Sequence, residues 1–148
     1  IKLRLSSTIN VGGEIDQRER YWLDACKPCN IIFYLVDCGE FIKNNERCVC
    51  RIKDDLEWLV SKSSDFKKGF KIVIILNKID LVTNDDIPEE DKKKIIAVLL
   101  SEIKCISTEI LSVLSDRLLC VLPLSTIKKN VFVSNFTEIL KEVMEKNS

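Results

Sequence analysis

The strongest constraint on this chain comes from two short runs, IIFYLV over 31–36 and KIVIIL over 71–76, which are almost wholly apolar. A strand with one wet face alternates apolar and polar residues, so an unbroken apolar run predicts a strand buried on both faces. Helices cover both faces when the strands are parallel, because a parallel return needs a crossover. The chain supplies the helices. EIDQRERYWLDAC has no internal Gly or Pro and is stopped by Pro28, which predicts a helix over 15–27. Val49, Ile52, Leu56, Leu59 and Val60, with Trp58 near that stripe, predict another over 44–63. FKKGF marks a loop before the second strand. Ile95, Ile96, Leu99, Leu100, Ile103 and Ile106 predict a long helix over 89–114, continuing through Ile110 and Leu114 with a break near Ser107 and Thr108. LLCVLPL (118–124) is a third strand, and a last helix over 134–146 is expected to be capped by Ser134 or Asn135. Residues 1–9 alternate, with Ile1, Leu3 and Leu5 opposed to Lys2 and Arg4, as in a half-exposed, antiparallel edge strand. The expectation is one α/β domain over 1–148: a doubly wound, mostly parallel sheet with helices on both faces.

Composition removes several function classes. Lys plus Arg and Asp plus Glu both total 23, so no basic surface for nucleic acid or acidic lipid is expected. No apolar run approaches the ~20 residues that span a bilayer, and no signal peptide opens the chain. The seven cysteines lie on or beside apolar segments, which suits reduced thiols and a cytoplasmic protein. CKPC (26–29) and CVC (48–50) leave a zinc or redox site as the alternative to buried thiols. Placement weighs against it, since Cys48 and Cys50 point to different faces of a helix and no His completes the ligand set. The sole methionine is Met144 and the chain begins in mid-pattern, so an upstream segment is expected to have been removed.

Open α/β sheets bind ligands beyond the carboxyl ends of their strands. The loops there are NVGGE (10–14), DCGEF (37–41), NKID (77–80) and STIKKN (125–130). NKID is the most specific. Asp80 is suited to accept from both N1–H and the exocyclic amine of guanine, a donor pair that adenine lacks. The Lys78 stem can cover one ring face while Asn77 ties neighbouring loops. In PLST (123–126), Ser125 and Thr126 follow the last strand, where a backbone N–H can reach guanine O6, although a plain strand-to-loop turn has the same form. The adjacent glycines Gly12 and Gly13 suit either a tight turn or an approach of the Gly13 amide to a terminal phosphate.

The order NVGGE…RERYW…IIFYLVD…IVIILNKIDLV…PLST resembles the Ras-type GTPase superfamily, on the branch of Arf proteins and heterotrimeric G-protein α subunits. The resemblance spans nearly all of 1–146. It implies a P-loop GTPase-like fold truncated at its N-terminus, with GTP/GDP and Mg²⁺ as ligands. Gly13, Asn77, Lys78, Asp80, Ser125 and Thr126 are then nucleotide-binding. Protein regulators or effectors engage the switch region 10–27. The departures matter equally. No G-x-x-x-x-G-K-[S/T] phosphate loop occurs in the chain, a segment that in this family lies upstream of residue 1. Asn10 stands where the family has the Asp that holds a Mg²⁺-bound water, and Glu14 where it has the water-positioning Gln. Glu14 with Gly13 is therefore the catalytic candidate. Thr126 takes the place of the usual alanine. Trp22 lies one residue further along than the branch leads one to expect, which leaves Glu14 open by one position. The expected activity is a GTP/GDP switch with weak intrinsic hydrolysis. The alternative is a GTPase-like interaction or scaffold module without catalysis.

Overall fold

Three strands, β1 (Ile31–Asp37), β2 (Lys71–Asn77) and β3 (Leu118–Pro123), lie side by side in chain order and are all parallel. The computed structural model describes residues 14–81, 86–114, 117–124 and 129–146. Residues 1–9, with their expected edge strand, and the site candidates Asn10, Gly13, Ser125 and Thr126 lie outside them.

The period of two along β2 divides the core between two layers. Ile72, Ile74 and Leu76 point into one cluster with Ile52, Leu56 and Leu59 of α4 (Asn45–Lys62) and Leu99, Ile103 and Ile106 of α5 (Glu89–Leu111). Val73 and Ile75 point the other way, into a cluster with Leu124 and with Ile139 and Val143 of α6 (Lys129–Lys146). Ile72, Val73, Ile74 and Leu76 are fully buried. Truncating any of them to Ala removes transfer energy and leaves a cavity, about 2–5 kcal/mol for the isoleucines and leucine. The α/β expectation of a parallel sheet between helix layers therefore holds for the described residues.

Several local expectations need correction. β1 forms as expected, but its apolar run is not wholly buried: Leu35 is 55% exposed. Among the described residues β1 hydrogen-bonds only to β2. The loop DCGEF is the start of a helix, α3 (Cys38–Lys43), because the Asp37 carboxylate accepts from Glu40 N–H and caps it. α5 runs unbroken through Ser107 and Thr108, the buried Ser107 hydroxyl donating back to Ile103 O at 2.6 Å. Ser134 and Asn135 lie inside α6, which begins at Lys129.

Candidate functional site

β2 ends at Asn77, and the chain turns at once into a short 3₁₀ segment, Ile79–Leu81. The turn is made at Lys78, whose φ is +58°. A non-glycine residue in this left-handed region costs about 1–2 kcal/mol and persists where its surroundings hold it. Here Lys78 N–H donates to Asn77 Oδ1 at 2.9 Å, and Lys78 O accepts from Leu81 N–H at 3.0 Å. Asn77, Lys78 and Asp80 are therefore brought together in one tight turn. It stands at the carboxyl end of the central strand, where an open α/β sheet places its ligands.

Sequence reading missed the fourth member of this site. Asp37 is in register with Asn77 across β1 and β2, and its Oδ2 accepts from Lys78 Nζ at 2.5 Å. Burial pulls the Asp37 carboxyl up, but the hydrogen bond from Lys78, the Glu40 N–H and the Lys78 charge outweigh it and hold it below the ordinary range. The same bond raises the Lys78 ammonium, helped by the charges of Asp37, Glu40 and Asp80. Gly39 permits this close approach of α3, since a Cβ there would meet Asp37 Oδ1 at 3.3 Å and Leu81 Cδ1 at 3.4 Å. Beneath the turn, Cys38 is pushed up to about 12, first by burial and then by Asp37 and Asp80.

Glu14 is the first described residue, exposed, with extended backbone preceding α1 (Ile15–Gln17). The helix then widens into a π-turn over Arg18–Trp22 and narrows again in α2 (Leu23–Cys26). An i→i+5 turn takes in one more residue than an α-turn, and such turns recur at functional sites. The segment from Glu14 to Trp22 thus contains one residue more than regular α-turns would take in. It seats Trp22 in the core, edge-on to Trp58 at 5.7 Å and to Tyr34 at 6.5 Å between ring centres.

The π-turn is tied down by a buried carboxylate. Asp55 on α4 is 2% exposed. It accepts from Arg18 Nη1 at 2.8 Å, Arg51 Nε at 2.8 Å and Tyr34 OH at 2.9 Å. Burial and the adjacent Asp55 push the Tyr34 phenol far above its ordinary range. The signal was present in the sequence: Asp55 sits on the Ile52, Leu56, Leu59 stripe with Arg51 one turn before it. A cleft of about 380 Å³ runs along the outer edge of β1, from this network to Asp37.

Among the described residues no group of three or more His, Cys, Asp or Glu side chains is placed to hold a metal ion. Cys26 and Cys29 are free thiols at the carboxyl-terminal end of α2. Burial, and then Cys29, push Cys26 up to about 11. No described helix is long and apolar enough to cross a membrane. No family model, curated protein or solved structure matches the chain.

Proposed function

We propose that the chain is a guanine-nucleotide-binding domain of the GTPase type, a GTP/GDP switch with weak intrinsic hydrolysis. One observation carries this reading: Asn77-Lys78-Ile79-Asp80 forms a tight, left-handed turn at the carboxyl end of the central strand of a parallel sheet. The base end fits the ligand. Asp80 offers a carboxylate to the paired donors of guanine, and Lys78, held at both ends, offers its methylene stem to a ring face. The described residues bear on this end only. Gly13 would donate its amide to the terminal phosphate, Ser125 and Thr126 would flank the base, and Asn10 would hold Mg²⁺ indirectly through water. When bound, GTP supplies the phosphoanhydride whose hydrolysis resets the switch. Glu14 would orient the attacking water, a task for which a carboxylate beside a phosphate is poorly suited. The π-turn supports this register, because it accounts for the position of Trp22 without moving Glu14 from its place after Gly13. Regulators or effectors would read 10–27, and a cytoplasmic setting goes with the reduced thiols.

The second reading, a non-catalytic interaction module, is favoured by Asn10 and Glu14 themselves. Competition of GDP and ADP against a fluorescent guanine nucleotide tests the first element: GDP should displace it and ADP should not. Single-turnover hydrolysis of GTP by wild type and Glu14→Gln separates the two readings. Faster hydrolysis in Glu14→Gln supports the switch with a weakened water-positioning residue. No turnover in either protein supports the interaction module.

A further inference from the structure

The loop after β1 carries no recognisable ligand motif, yet the structure fastens it to the base turn. Asp37 divides its carboxylate: Oδ1 caps α3 through Glu40 N–H at 3.1 Å, and Oδ2 takes the Lys78 ammonium. One side chain therefore joins the end of β1, the start of α3 and the turn after β2. The pair is partly open to water, with Lys78 47% and Asp37 35% exposed, so its direct contribution to stability is small. Its consequence is conformational. A free lysine carries many rotamers, and ordering them at the moment of binding weakens affinity. Lys78 is ordered in advance at both ends, its backbone by Asn77 Oδ1 and Leu81 N–H, its ammonium by Asp37.

We propose that Asp37 is a positioning residue for the base site: by anchoring the Lys78 ammonium across the carboxyl ends of β1 and β2, it lays the lysine stem as a preformed platform for the purine ring and so sets guanine-nucleotide affinity through Lys78. The inference rests on the guanine-site reading above. Asp37 makes no contact with the base in this scheme and is not a catalytic residue. Its effect is on affinity for either guanine nucleotide, with no effect on the choice of base, which belongs to Asp80.

The test is calorimetric titration of GDP, with ADP as control, into wild type, Asp37→Asn, Lys78→Met and the double variant. Asparagine keeps a carbonyl oxygen for the α3 cap but presents an uncharged NH2 donor where Oδ2 took the ammonium, so the fold is retained while the anchor is lost. Met keeps an apolar stem of similar length without the charge. Asp37→Asn should weaken GDP binding on the order of 3- to 10-fold, the span expected for one rotamer-rich side chain that must be ordered on binding. Lys78→Met should lose a similar factor, and the double variant should be no weaker than Lys78→Met alone. A merely structural role for Asp37 would instead multiply with the Lys78→Met effect. Unchanged affinity in Asp37→Asn, or multiplying losses in the double variant, overturns the proposal and leaves the guanine site standing. If Asp37→Asn fails to fold by circular dichroism, Lys78→Met carries the test, and wild-type GDP affinity in that variant overturns the proposal. A wild type that binds GDP no better than ADP overturns both the guanine-site reading and the proposal.

Discussion

Replacing Asp55 by alanine removes the counter-charge from a network sealed inside the protein. The carboxylate is 3% exposed, and of its two arginine partners Arg18 is 12% and Arg51 29% exposed. Without Asp55 the Arg18 guanidinium stays in a low-dielectric setting with, among the described residues, no carboxylate beyond the long 3.7 Å contact to the exposed Glu19, and Tyr34 OH loses its acceptor. Breaking a buried pair from one side costs about 3–5 kcal/mol. Arg51 retains access to water, which places the expected loss toward the lower half of that range. At 2–4 °C per kcal/mol for a chain of this size, the melting temperature should fall by roughly 6–16 °C. Tyr34→Phe isolates the hydroxyl and should lose about 1.5–3 kcal/mol, the worth of a hydrogen bond to a charged group. Urea unfolding followed by tryptophan fluorescence suits the question, because Trp22 packs on both Tyr34 and Trp58. The slope with denaturant should stay constant while the midpoint moves. A loss below about 1 kcal/mol for Asp55→Ala would refute the reasoning, since it would make this carboxylate equivalent to an exposed one.

Alkylation at neutral pH should modify the exposed Cys50 and Cys105 first and leave Cys38 intact until unfolding, because burial and the Asp37 and Asp80 charges push its thiol up to about 12. Peptide mapping after iodoacetamide checks this, and early modification of Cys38 would contradict it. Lys78→Gly should stay within about 1 kcal/mol of wild-type stability, because relief of a left-handed non-glycine residue offsets loss of an exposed ion pair. Its GDP affinity should nevertheless fall, and a variant with both properties unchanged would contradict the site. Asp37 has a folded-state pKa below its ordinary 3.8, so its contribution is fully present above that value and is lost as pH falls through the folded one. The stability difference between wild type and Asp37→Asn should therefore be flat near neutrality and shrink only in acid. A difference that shrinks as pH rises from 5 to 8 would reverse the sign of this linkage.

What was legible in the sequence was the part that local periodicity controls. The run 71–76 could only be a strand buried on both faces, and β2 is that strand. The stripes in 44–63 and 89–114 likewise became α4 and α5 within a few residues. Asn77, Lys78 and Asp80 were legible because their chemistry and their position after a strand reinforce each other. Asp37 was not, because its role depends on strand register: no local pattern reveals that residues 37 and 78 meet. The π-turn over Arg18–Trp22 was not legible, since the run expected to be helical over 15–27 has no internal Gly or Pro to mark a break. The start of α6 was misjudged because Ser134 and Asn135 have the chemistry of a cap, although they lie inside the helix that begins at Lys129. Asp55 was overlooked although visible, an acidic residue on an apolar stripe being a signal that a donor must lie opposite.

The central claim, that Asp80 selects guanine, is tested most directly by exchanging its carboxylate for an amide. Asp80→Asn turns an acceptor for the two guanine donors into a group that donates to the extra carbonyl of xanthine. Calorimetric titration of GDP and XDP into wild type and Asp80→Asn reads the exchange. The account predicts that wild type prefers GDP and that Asp80→Asn prefers XDP, with the fold unchanged by circular dichroism. The same nucleotide preference in both proteins would contradict it.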